Sequence, residues 1–85
     1  MREPESMISS LQSRADFIAF VDALRRDLDA NPAAWENPTL DSYLAAVSAW
    51  TTDMDGFYKN QGLPVPEAPS WQTFAHIMLG ATLYE

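Results

Sequence analysis

Leu40-Asp41-Ser42-Tyr43-Leu44-Ala45-Ala46-Val47-Ser48-Ala49-Trp50-Thr51-Thr52-Asp53-Met54-Asp55-Gly56-Phe57-Tyr58-Lys59-Asn60 is the stretch that decides the fold. Its large apolar residues fall at 40, 43, 44, 47, 50, 54 and 57. Those steps of three and four follow the period of an α-helix, not the alternation of a strand. Ala45, Ala46 and Ala49 favour helix and permit close approach of a neighbour. Asn37 followed by Pro38 reads as an N-cap with proline at the first helical position, and Thr39 is the alternative cap. Thr51-Thr52-Asp53 and Gly56 are the places where the helix would kink or stop early, and Gly62 is a good terminating residue.

The pattern extends in both directions. Upstream, Ser13 and Asp16 have the spacing of a capping box. The residues after them place Phe17, Phe20, Val21, Leu24 and Leu28 on one helical stripe. Asp22 and Arg26 are spaced for an i,i+4 pair, and Asn31-Pro32 ends that helix. Downstream, Leu63-Pro64-Val65-Pro66-Glu67-Ala68-Pro69 cannot be helix interior. It is expected as an ordered, extended strap. Ser70 then caps a last helix with Trp71 at its start and Phe74, Ile77, Met78 and Ala81 on one stripe. Gly80 is read there as a close helix contact. The predicted class is all-α. It is a compact three-helix domain over 13–85, with a proline-rich strap before the last helix and room for a short extra N-terminal or linker helix. Residues 1–12 are expected to be a flexible or weakly helical segment.

The chain has 85 residues, 47% of them hydrophobic, which suffices for one small core and argues against intrinsic disorder. Twelve acidic and five basic side chains give a net charge of -7 and a pI near 4.3. That balance disfavours nucleic acid and anionic membranes as partners. It permits a basic protein partner. There is no cysteine, so no thiolate nucleophile and no cysteine metal site. No apolar run reaches the ~18 residues of a membrane span, and Met1-Arg2-Glu3-Pro4-Glu5-Ser6 has no signal-peptide core. A cytoplasmic protein is expected.

Catalytic and ligand motifs are weak. Asp53-Met54-Asp55-Gly56 starts like a calcium loop, but the sixth position is Tyr58 instead of glycine and the twelfth is Pro64 instead of glutamate. His76 is the only histidine, too few for a zinc site without cysteine. The three glycines stand in no phosphate-binding spacing. No catalytic residue, cofactor or metal is predicted. Trp50 and Trp71 are expected in the core. Trp35 lies in a loop, where it either plugs the gap between helices or acts as an exposed anchor. The candidate partner-binding residues are Trp35, Glu36, Tyr58 and Lys59, with Lys59 also placed to pair with Asp55.

Trp35-Glu36-Asn37-Pro38-Thr39-Leu40, Met54-Asp55-Gly56-Phe57-Tyr58-Lys59-Asn60, Pro66, Pro69-Ser70-Trp71 and Tyr84-Glu85 together resemble a family of small, uncharacterised bacterial proteins, catalogued as a domain of unknown function. The resemblance spans roughly residues 14 to 85. It implies a small bacterial cytosolic protein and assigns no catalytic residue. The expected role is that of an acidic, noncatalytic interaction or regulatory protein. The alternatives are a homo-oligomeric accessory domain and, behind it, a small hydrolase using acidic residues and His76.

Overall fold

Each main helix begins where a hydroxyl satisfies a free backbone N–H. Ser13 Oγ accepts from the Asp16 N–H at 3.1 Å, Thr39 Oγ1 from Ser42 at 3.2 Å and Ser70 Oγ from Thr73 at 3.1 Å. The computed structural model describes residues 2–84; Met1 and Glu85, which the sequence reading put in the N-terminal segment and the closing Tyr-Glu pair, lie outside the described residues. The helices are α1 (Glu3–Met7), α2 (Arg14–Ala30), α3 (Leu40–Asn60) and α4 (Trp71–Leu83). Short 3₁₀ turns follow α1 at Ile8–Ser10 and α2 at Pro32–Ala34. The fold is all-α, with no strand among the described residues, and no described helix is long and apolar enough to cross a membrane.

The long helix α3 runs unbroken through Thr51-Thr52-Asp53 and Gly56. It ends at Gly62, whose φ of 70° is the left-handed conformation that glycine adopts freely. There the Leu63 N–H donates to the Tyr58 carbonyl at 2.9 Å and the Gly62 N–H to the Lys59 carbonyl at 3.1 Å. This double closure is a Schellman cap. Of the two proposed N-caps, Thr39 does the capping. Asn37 instead donates from Nδ2 to the carbonyls of Ala81 and Tyr84, at 3.1 and 2.6 Å. The Glu36 N–H donates to the Thr82 carbonyl at 2.8 Å. The α2–α3 linker is thereby tied to the end of α4.

The core gathers Phe20, Leu24, Trp35 and Ala75 with Ile8 and Leu11 from the N-terminal segment. That segment was expected to be flexible or weakly helical; it is helical over Glu3–Met7 and buries Pro4 as well. Gln72 Nε2 holds it through the Ser9 and Leu11 carbonyls, at 3.3 and 3.2 Å. The α2 stripe is as read, with Phe20 and Leu24 buried and Phe17, Val21 and Leu28 half-buried. Two exposed ion pairs differ from the expected spacing: Asp22 meets Arg25 at 3.6 Å, and Arg26 reaches Glu3 at 3.1 Å. Lys59 forms no ion pair among the described residues.

On α4 the expected stripe is met at Ala81, which is buried, and at Ile77 and Met78, which are half-buried, but not at Phe74. Thr73, Ala75, Ala81 and Thr82 are buried, whereas Phe74 is exposed. The helix is apolar nearly all round, so its period does not choose a face. Its small side chains do, because they let neighbouring helices come close. Gly80 marks the closest approach: a Cβ there would fall 2.5 Å from Cε2 of Trp50.

Candidate functional site

The four residues singled out in the sequence do not form one surface. Trp35 is only 9% exposed. Its indole N–H donates to Asp27 Oδ2 at 2.8 Å, and its ring lies 5.8 Å from that of Tyr43. The turn at Pro32–Ala34 carries it into the bundle. Tyr58 is also buried, whereas Glu36 and Lys59 are exposed. Tyr43 and Tyr58 are about four turns apart on α3, so the Trp35 and Tyr58 ends are separated by about 22 Å along it.

Around Trp35 the structure builds a polar node. The Arg2 guanidinium donates to Asp27 Oδ2 from Nε at 3.0 Å and from Nη2 at 2.5 Å. Its Nη1 donates to Thr82 Oγ1 at 3.2 Å. The guanidinium carbon also sits 5.9 Å from the centre of the Trp35 ring, a cation–π distance. The hydrogen bond from Arg2 holds the Asp27 carboxyl below its ordinary pKa, against burial that pushes it up, and the Trp35 N–H adds to the lowering. Sequence reasoning passed over both charged residues. The signal was present for Asp27: it follows Phe20 and Leu24 at steps of four and three, which puts a carboxylate in line with the buried stripe.

At the other end of α3, the Tyr58 hydroxyl lies 2.9 Å from His76 Nδ1, and the Phe57 ring is 5.3 Å from the imidazole. His76 borders two grooves. One, of about 280 Å³, is roofed by Leu63, Pro64, Val65 and Pro66 of the strap. The other, of about 520 Å³, opens toward Ile8 and Leu79. Burial lowers the His76 pKa and raises that of Tyr58, so both are neutral near pH 7. No carboxylate forms an ion pair or hydrogen bond with His76 among the described residues, and no group of three or more described residues is placed to hold a metal ion.

This pair predicts a pH dependence. As pH falls below the ordinary imidazole value of 6.5, the unfolded chain takes up a proton that the half-buried ring resists. Stability is therefore expected to decline through that window. Urea unfolding across a pH series should show the decline in the wild type and a flatter curve in His76→Gln. Identical curves would mean the ring is as easily protonated folded as unfolded.

A third feature lies on the outside, where α2 and α4 begin. The ring of Phe17 is 5.3 Å from Trp71 and 6.4 Å from Phe74, and Trp71 is 6.3 Å from Phe74. Trp71 is 37% exposed and Phe74 42%. Ile18, next to Phe17 in the chain, is exposed too. The expectation that Trp71 is a core residue is thus corrected. It occupies the first position of α4, and small residues further along the helix make the buried face.

Among the described residues, four helices around one apolar core, with a cluster of open aromatic rings and two partly buried polar pairs, define a small all-α domain. The chain belongs to the DUF7660 family, a family of unknown function, whose model matches residues 13–85. Comparison with curated proteins finds no match, and comparison with solved structures finds none.

Proposed function

We propose that this is a small acidic, noncatalytic protein-interaction or regulatory protein that docks a basic protein partner on its aromatic face. The observation that carries the reading is the Phe17–Trp71–Phe74 cluster, in which the rings brace one another while Trp71 and Phe74 stay open to water. Tryptophan is enriched among the residues that dominate binding energy, and exposed rings attract arginine and lysine. The charge of -7 supports rapid encounter with a basic protein in preference to nucleic acid or an anionic membrane. The family resemblance supports a bacterial, cytosolic setting.

The test compares wild-type and Trp71→Ala bait in lysate of the source organism at low and moderate salt. Because Trp71 is partly exposed, its truncation is expected to cost only about 1–2 kcal/mol of stability, and the variant stays folded. A stoichiometric basic partner held by the wild type and lost by the variant supports the reading. A partner held equally by both, or an acidic one, overturns it. Leu40 and Leu44, one turn apart on α3 and 74% and 56% exposed, favour a second reading, a homo-oligomer. A mass that doubles with concentration and is unaffected by Trp71→Ala would select that one.

A further inference from the structure

We infer that Asp27, Trp35 and Thr82 form a receptor for a guanidinium group, which the chain's own Arg2 fills and which an arginine-bearing segment of a partner fills by exchange. The inference stands apart from the aromatic face and does not depend on it. The three receptor residues come from α2, the α2–α3 linker and α4, and each is more than nine-tenths buried. Each offers something different to the same cation. Asp27 supplies a carboxylate oxygen at 3.0 Å from Nε, Thr82 a hydroxyl at 3.2 Å from Nη1, and Trp35 an aromatic face. A planar, multiply donating, weakly hydrated guanidinium satisfies all three at once, whereas a lysine ammonium does not. The Trp35 N–H donates to the same Oδ2 that accepts from Arg2 and so helps fix the carboxylate.

The occupant is held differently from the receptor. All three receptor residues lie within the span matched to the family, 13–85, while Arg2 lies before it. Arg2 rides just ahead of α1, a helix of five residues whose only buried side chain is Pro4. Below α1, Ile8 and Leu11 anchor the segment in the core. Releasing Arg2 therefore means lifting one short turn, held by buried Pro4, by Met7 against the core and by the exposed Glu3–Arg26 pair, or turning the Arg2 side chain out ahead of it. A groove of about 790 Å³ runs beside it along Ala23, Ala30, Asn31 and Ala34, with room for residues flanking an incoming arginine. A bare buried carboxylate is strongly disfavoured, so the site favours replacement of one guanidinium by another over vacancy.

The 85-residue chain carrying Arg2→Ala, titrated with methylguanidinium at millimolar concentration and followed by the Trp35 indole N–H resonance, tests the inference. The expected result is a saturable shift, with methylammonium inert and Arg2→Ala/Asp27→Asn unresponsive. In the wild type Arg2 competes, and the apparent affinity is expected to be weaker by about tenfold or more. A folded Arg2→Ala protein with no saturable shift overturns the inference and leaves the Arg2–Asp27 pair as a structural clasp. If that variant does not fold, Arg2→Lys replaces it. Methylguanidinium should then displace the poorly matched lysine with the same shift, and a silent Trp35 resonance overturns the inference equally.

Discussion

Asp27→Ala is expected to lower the free energy of unfolding by about 3 kcal/mol. The substitution removes the acceptor for two other groups at once. The Arg2 guanidinium loses its ion pair, and the buried Trp35 N–H loses its partner at 2.8 Å. Removing one member of a buried pair typically costs about 3–5 kcal/mol, because the survivor is left charged without compensation. Arg2 keeps about one-fifth of its side-chain surface in water, which places the expected loss at the lower end. Asp27→Asn keeps the shape and an oxygen acceptor, and its cost should be smaller, about 1–2 kcal/mol. Urea unfolding with an unchanged slope would register both as shifts of the midpoint. The sign of the pH effect follows from the lowered Asp27 pKa. The stabilisation is fully present above the ordinary carboxylate value of 3.8 and is lost as pH falls through the lower, folded value. Asp27→Asn should remove that acid limb. A midpoint unmoved by Asp27→Ala would show that the node contributes nothing net.

What the sequence made legible depended on how local each determinant was. The α3 period, its end at Gly62 and the caps at Ser13 and Ser70 involve residues within one or two turns of each other, and they were readable. So was the choice of all-α, since no stretch alternates. The Arg2–Asp27 pair spans 25 residues and Asn37 to Tyr84 spans 47, and no spacing rule reports partners so far apart. Trp35 was ambiguous for the same reason. A linker has no period, and its burial is decided by an acceptor on a different helix. Trp71 and Phe74 misled because α4 is apolar on every side. In such a helix the largest residues are not necessarily the buried ones; here Ala75, Ala81 and Thr82 are fully buried, and the Trp50 ring lies directly against Gly80. Of the four candidate partner-binding residues, Trp35 and Tyr58 are buried and Glu36 and Lys59 exposed, while the exposed aromatic rings Trp71 and Phe74 lie in the first turn of α4.

Trp50→Ala is expected to cost about 3–5 kcal/mol, the range for emptying a buried aromatic site, since Trp50 is only 7% exposed and packs on Phe57 at 5.2 Å. Its partner Gly80 gives a sharper test of why the site is built this way. In an ordinary helix interior, Gly→Ala stabilises by up to about 1 kcal/mol. In this protein the added Cβ would meet the Trp50 ring, 2.5 Å from Cε2 and 2.6 Å from Cδ1. Neither helix backbone nor a packed indole yields easily, so Gly80→Ala alone should destabilise by about 1–3 kcal/mol. Once Trp50 is already alanine, the obstacle is gone and part of the cavity is filled. Gly80→Ala should then reverse sign and stabilise. A double-mutant cycle by urea unfolding should return a coupling of about 2–3 kcal/mol. Additive effects would mean that α4 does not rest on the indole. The reversal, if found, would show that glycine at position 80 is required by the tryptophan across from it and not by the helix that contains it.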